Sequence, residues 1–549
     1  MSPPTNPDAQ PVEAPEDARA GMPRAQLAAI FAVFVALSFA VYWPATSGPF
    51  FSDDFSNIVH NDYVHELTFE NISALLDPAG APASFTQNYA PVHLLVHALE
   101  WQVFGDRVRG YHVINLLLHA LATTLLVALL QKSGVPRVGA IGGGAVFLLH
   151  PANVEAVAWI YQLKTTLALT LALTALLLRD RAPFGAFAAF LLGLLTKVLA
   201  AVALPFALLD TWCRRDRASA AAWRWLGAWA LGLALLAIYG FPVFDSTNAP
   251  VPRLDPDPFT EARTIVSIAG RYLAMAATGY GVCAFQEVEI AKSLLDPWWL
   301  GSIAALLAIS ARAVLVLIRR DPEAAWWGWA AAAFLPISQI FPFIQPMADR
   351  YLYLMLPGLI GAVLLAGRPL AARRPVALAL IGATVLMLGV FGLASYKRAL
   401  LWRRPDPMLH VHAVERFPDG LLANNYRAQR AAAAGDVDTA VIALQKTLDR
   451  GDIRFQPLVS DPVWRRLHGD PRIVEIIQEM ARRWVEISGR FENPGQVELR
   501  GFAEAHLLLG HYDEAEALLE RALEVGGKRD EVVRRQLEAV RREHEAAAR

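Results

Sequence analysis

Apolar runs dominate the first 400 residues. Segments near 26–46, 112–131, 138–150, 155–178, 183–197, 199–211, 223–243, 297–318, 323–343, 350–367 and 375–395 carry few charges. A run of roughly 18 or more apolar residues is long enough to cross a bilayer as a helix; the shorter runs come in pairs, as half-spans. The pattern predicts an all-α fold, with a polytopic helical membrane domain of about eleven transmembrane helices over 24–396. Past residue 396 the pattern changes. "AAAAGDVDTAVIALQKTLDRG" and "LLLGHYDEAEALLERALEVGG" each place Ala five residues after Gly, and the second adds Ala522. Small residues there let two antiparallel helices cross closely, as in tetratricopeptide repeats. Residues 397–549 are expected to form a tetratricopeptide-like helical domain, with Gly435 and Ala440 marking one unit and Gly510, Ala515 and Ala522 another.

Orientation follows from the basic residues. Lys132 and Arg137, Arg179 and Arg181, the "RRDR" at 214–217, and the "RR" pairs at 319–320 and 373–374 fall between alternate pairs of spans. Lys and Arg gather in cytoplasmic loops, so eleven spans with a cytoplasmic N-terminus place every cluster inside. The outer face then receives loops 47–111 and 244–296, the turns at 150–155 and 345–350, and the C-terminal domain. Segment 264–283 is apolar enough to suggest a further span, but counting it would push Arg319, Arg320, Arg373 and Arg374 outside. It is expected to lie in the outer interface. Residues 1–23, rich in Pro, Ala and acids, are expected to be a disordered cytoplasmic tail.

Composition agrees. The chain is 55% hydrophobic and 18% charged, against about 25% charged in ordinary soluble domains. A net charge of −1 with no basic stripe argues against a nucleic-acid partner. Cys213 and Cys283 fall on opposite sides in this topology and read as packing residues.

The candidate chemistry lies on the outer side. "PFFSDDFSNIVHND" puts Asp53 and Asp54 directly after the first span; taken alone, the pair reads as a capped turn. Lys164 sits about two turns into the helix that follows "HPANVE", where a basic residue costs on the order of 2.5–3.5 kcal/mol and ordinarily faces a cavity and a partner. A structural pairing with Glu155 is the plain alternative. Lys197, Asp349 and Arg350 stand at the outer ends of other spans, where basic residues also serve as snorkelling anchors. Together, Lys164, Lys197 and Arg350 bring positive charge toward the acidic pair. "PVHLLVHALEWQVFG" (91–105) reads as an amphipathic helix in the interface plane. His93, His97 and Glu100 share one face at a spacing compatible with a metal, though two such histidines are more often polar-face residues. His112, Asn115 and His119 line one side of the second span.

With these motifs, the chain resembles the GT-C membrane glycosyltransferases. It looks most like the transmembrane and tetratricopeptide-repeat-containing O-mannosyltransferases and their bacterial relatives. The carrying segments are "FFSDDFSNIVHND", "NYAPVHLLVHALEWQVFGDRVRGYHVINLLLHA", "FLLHPANVEAVAWI", "LLTKVLAAVALPFALLD", "MADRYLYLMLPG" and "ALLWRRPDPML". The resemblance implies a polyprenyl-phosphate-linked sugar as donor and a hydroxyl acceptor on the outer face. It maps the catalytic Asp onto Asp53, with Asp54 as the second acid; the supporting motifs fall on Asn88 and Tyr89, on His150, Pro151 and Glu155, and on Arg350, Tyr351 and Tyr353. Two departures stand out: Ala90 replaces the usual Arg of "NYRP", and Lys164 stands where Arg is common, a point charge in place of a fork.

The expected activity is inverting sugar transfer, with mannose the sugar the resemblance suggests and protein the acceptor. Asp53 acts as base, and Lys164, Arg350 and Lys197 stabilise the leaving phosphate. No cofactor is chemically required, and a divalent ion is compatible with Asp54. The repeats would recruit a protein or glycan partner. The location implied is a bacterial inner membrane, with the C-terminal domain periplasmic. Transfer to lipid or polysaccharide by the same chemistry is the nearest alternative. A non-catalytic scaffold or a transporter fits less well: eleven spans exceed what an anchor needs, and the spans lack the internal repeats of transporters. Reporter fusions at residue 53 and within 397–549 should both read extracytoplasmic; a cytosolic signal at residue 53 would overturn the arrangement.

Overall fold

A computed structural model describes residues 22–86, 89–214, 219–247, 253–342, 345–404, 414–489, 491, 494–526 and 530–548. Asn88, Arg215–Arg217 and most of the expected N-terminal tail lie outside the described residues. All regular elements among them are helical. Seven are long and apolar enough to cross a membrane: Arg24–Ser47, Val108–Lys132, Ile160–Leu178, Ala220–Gly240, Pro297–Ile318, Asp349–Ala366 and Arg374–Leu401. Arg137–Leu149, Pro183–Thr196 and Val198–Cys213 are shorter apolar helices, and Glu323–Phe334 stops after 12 residues where Leu335–Ile337 tightens around Pro336. The Pro258–Thr278 helix, holding most of the expected interfacial segment, is not among the seven.

The 155–178 run is not one helix. Trp159 is extended (φ −85°, ψ 123°) and separates Asn153–Ala158 from the turn and helix that follow. That break turns the 159–161 backbone toward the first loop, where it is used below.

Central and peripheral helices differ in what surrounds them. Val108–Lys132, Ile160–Leu178 and Asp349–Ala366 are mostly buried, whereas Arg374–Leu401 exposes Leu378, Val385, Leu386, Val390 and Leu393. An apolar face that broad on a helix long enough to span a bilayer suits contact with lipid. Helix starts follow local chemistry: Asp257 and Asp296 each precede a Pro and accept hydrogen bonds from the first backbone N–H groups, the arrangement expected of a cap followed by Pro.

The C-terminal part has its own buried clusters. Leu421–Ala434 pairs with Val437–Asp449, and Gln496–Leu508 with Tyr512–Val525. Gly435 (φ +76°) and Gly510 (φ +79°) make the turns in the left-handed region, where Gly is least strained. Ala440, Ala515 and Ala522 are fully buried. This part meets the helical bundle at residues 280–287: Arg450 lies 3.6 Å from Glu287, and Arg416 stands 5.5 Å from the centre of the Tyr280 ring.

Close packing inside the bundle depends on glycine. A Cβ on Gly358 would stand 2.6 Å from Ala330 N and 2.9 Å from Ala330 Cα, backbone atoms that cannot swing aside; one on Gly382 would meet nothing within 4 Å. Gly358→Ala should therefore lose about 1–3 kcal/mol through overpacking, while Gly382→Ala should be neutral or slightly stabilising. Thermal unfolding in detergent checks this, and equal melting of the two variants would refute the close approach.

Candidate functional site

The two acids of the first loop point in different directions. Ser52 adopts φ +50°, an uncommon conformation for a residue with a Cβ, and the chain turns sharply there before the π-helical turn Phe55–Val59. Asp54 goes inward and is fully buried. Its Oδ2 accepts the Phe51 N–H at 2.8 Å, and its Oδ1 accepts the Tyr161 N–H at 2.7 Å. It pins the first loop to the break after Trp159, whose indole N–H donates to Phe51 O at 3.1 Å. Burial pushes the Asp54 carboxyl up to about 8. Asp53 stays partly exposed. Its carboxylate accepts a hydrogen bond from the Ser52 hydroxyl at 3.3 Å, and its charge acts on Lys164, Arg350 and Tyr351.

The cations come from three elements. Lys164 lies at the start of the Leu163–Leu178 helix, nearly buried, with Nζ 3.6 Å from the centre of the Tyr161 ring. Among the described residues it has no carboxylate partner at ion-pair distance. Lys197 follows the Pro183–Thr196 helix in an extended conformation and donates to Thr165 Oγ1 at 2.7 Å. Arg350 takes the carboxylate that the sequence offered to Lys164. It donates its backbone N–H to Glu155 Oε2 at 2.9 Å and a guanidinium N–H to Glu155 Oε1, and a second guanidinium N–H to Gln345 Oε1 at 2.6 Å. The Arg350 guanidinium also stands 5.4 Å from the centre of the Trp159 ring and 5.1 Å from that of Tyr351.

Lys164, Lys197 and Arg350 therefore face two nearby carboxylates, Asp53 and Glu155, whose charges act on them. Unpaired charge is costly in an apolar interior. The cluster thus sets three basic side chains against two carboxylates.

Of the other sequence candidates, Tyr351 adjoins this cluster while His150, Tyr353 and Tyr89 stand apart from it. His150 is buried; its Nδ1 accepts the Ala152 N–H, while its Nε2 bonds Ala276 O at 3.1 Å. It braces a turn. Tyr353 is buried against His119 Nδ1, 2.9 Å away, whereas Tyr351 donates its hydroxyl to Gln345 O at 3.2 Å, beside Arg350. Tyr89 donates to Leu76 O at 2.9 Å and lines an apolar groove of about 450 Å³ with Leu191, Leu194, Leu195, Leu231 and Leu235.

The Pro91–Phe104 helix is amphipathic with its polar side inward. His93, His97 and Glu100 are buried while Leu99 and Val103 are exposed, so its polar face turns into the bundle. The metal-compatible spacing is not realised. His97 Nδ1 bonds Glu100 Oε2 at 2.6 Å, and among the described residues no group of three or more His, Cys, Asp or Glu could hold a metal ion. Burial and the charges of His97 and Lys164 hold His93 well below the usual histidine range.

Several contacts were invisible in the sequence. His112 Nε2 bonds Gly48 O at 3.1 Å and Asn115 donates to Trp159 O at 3.2 Å. Asp349 turns away from Arg350 to meet Arg398 and Gln286, each at 2.7 Å. Arg398 had one sequence signal: it is a basic residue near the end of a long apolar helix.

No family model matches the chain, and no solved structure matches it. It is 30% identical over 131 residues to the protein O-mannosyl-transferase Tmtc1 of Drosophila melanogaster, a match that covers 22% of this chain and 15% of that protein. The likeness is therefore to a fragment of the relative.

Asp54 gives a pH test. Its folded value of about 8 lies above the ordinary 3.8, so its contribution to stability is full below the ordinary value and is lost as pH rises through about 8. The melting temperature of the wild type should fall relative to that of Asp54→Asn between about pH 5 and about pH 9. A flat or rising difference would refute this.

Proposed function

We propose that the protein is an inverting glycosyltransferase that moves a sugar, by the likeness to Tmtc1 a mannose, from a polyprenyl phosphate to a hydroxyl on the outer face of the membrane. One observation carries the reading: a partly exposed carboxylate, Asp53, acts on Lys164 and Arg350, with Lys197 near both, at one end of a lipid-facing helical bundle. The apolar groove supports it. Leu194 and Leu195, on its wall, come just before Lys197, so a lipid tail in the groove would carry its phosphate toward the cations.

In the proposed reaction the acceptor oxygen attacks the anomeric carbon from the side opposite the phosphate. A new carbon–oxygen bond forms, the bond to phosphate breaks, and the acceptor proton passes to Asp53. A base so placed contributes about 10²–10⁴-fold. The phosphate leaves with an additional negative charge, which the three cations stabilise as it develops. Protein is the proposed acceptor class, with the C-terminal helical hairpins as a tetratricopeptide-like recruiting surface.

The test uses purified full-length protein, radiolabelled polyprenyl-phosphate sugars and a membrane extract. Label should move into protein. Asp53→Asn should lower transfer by about 10²–10⁴-fold without loss of donor binding, and Lys164→Met should lower it by about 10²–10³-fold. An Asp53→Asn enzyme with wild-type turnover would end the assignment.

A further inference from the structure

Arg350 stands in the first turn of the Asp349–Ala366 helix. Ala348 is extended (φ −154°, ψ 146°), and Asp349–Tyr351 is a single 3₁₀ turn. The extended residue before it leaves the start of the helix to be placed by side-chain ties, and Asp349 makes two of them. Asp349 is fully buried, with Oδ1 accepting from Gln286 Nε2 and Oδ2 from Arg398 Nη2, both at 2.7 Å. Arg398 also donates to Val282 O at 3.1 Å, and Gln286 to Gly281 O at 2.9 Å. Two elements distant in sequence thus converge on one carboxylate.

Arg398 is not alone on its helix face. Ser395 donates to Leu149 O at 2.8 Å, next to the turn that carries Glu155. Trp402 stacks on Trp159 with ring centres 6.3 Å apart and meets Phe51 at 6.1 Å. Residues 395, 398 and 402 are spaced to share one helical face. That face touches the segments holding Asp53, Glu155 and Arg350 at once.

We propose that Arg398, acting through Asp349 and together with Gln286, is a positioning residue for Arg350, so that the end of the Arg374–Leu401 helix fixes where the phosphate-facing guanidinium stands. This rests on the proposed role of Arg350 in binding a lipid phosphate. Neighbours in a 3₁₀ turn diverge by about 120°, so holding the Asp349 carboxylate on Gln286 and Arg398 fixes the rotation of the turn and with it the side from which Arg350 departs. Misplacing a charged donor by about 1 Å forfeits much of its value.

Removing Arg398 alone would strand a buried carboxylate, so the test uses Arg398→Gln together with Asp349→Asn, a neutral pair that can still hydrogen-bond. The readout is binding of a polyprenyl monophosphate to the full chain in nanodiscs of uncharged lipid. The double variant should bind about tenfold more weakly than wild type, with a retained cooperative melt. In an Arg350→Ala background the same two changes should cause no further loss, an outcome that a merely structural role would not give. Wild-type affinity in the double variant, or an independent loss added to that of Arg350→Ala, would overturn the proposal. Should the double variant fail to fold, Gln286→Leu, which spares the ion pair, must weaken binding, and unchanged affinity there would equally overturn it. A wild-type protein that binds no polyprenyl monophosphate would instead remove the phosphate reading itself, and this inference with it.

Discussion

A guanidinium that stays charged inside an apolar bundle imposes conditions on everything near it. Arg350 meets them with Glu155, Gln345 and the rings of Trp159 and Tyr351. A buried pair of this kind adds little net stability, because desolvation cancels most of the attraction. Its value is geometric: Glu155 holds both the Arg350 backbone N–H and the side chain, and so fixes the turn and the charge together. Lys164 and Lys197 are then left facing a region where Glu155 is already engaged. The anion proposed above as ligand would be the physical complement to that arrangement.

The first loop shows how adjacent acids take different work. Asp54 is consumed by backbone N–H groups and joins the loop to the break at Trp159. Asp53, one residue earlier, is thereby turned toward the cations, and the strained Ser52 conformation is part of making that turn. The Pro91–Phe104 helix follows the same logic, with its polar side directed into the bundle and Leu99 and Val103 left outside.

Much of the helical framework was legible because lipid and water select residues so differently. Long apolar runs marked helices, and Gly–Ala spacing marked the C-terminal hairpins. Shorter runs were harder: the break at Trp159 depends on tertiary contacts to Asp54, and the early stop near Phe334 is set by Pro336. In the site, the sequence pointed to Asp53, Lys164, Lys197 and Arg350 through charge in unfavourable places. Only the family resemblance separated Asp53 from Asp54; charge pattern alone did not, nor did it show which cation takes Glu155, since the Tyr161 N–H and the Arg350 backbone that decide these outcomes lie far along the chain. Arg398 and Gln286 escaped for the same reason. Each looks like an ordinary residue near the end of an apolar stretch until the fold brings both to Asp349.

The spread of these contacts along the chain sets an order of events during biosynthesis. Residues at 53, 155, 164, 197, 286, 350 and 398 join one cluster, so the ribosome must deliver nearly four hundred residues before the last tie can close. Nascent chains halted before the Arg374–Leu401 helix inserts would lack the Arg398 tie to Asp349 and the Trp402 contacts with Phe51 and Trp159. The ties from the end of the Arg374–Leu401 helix to the first loop and to Asp349 therefore form late in synthesis.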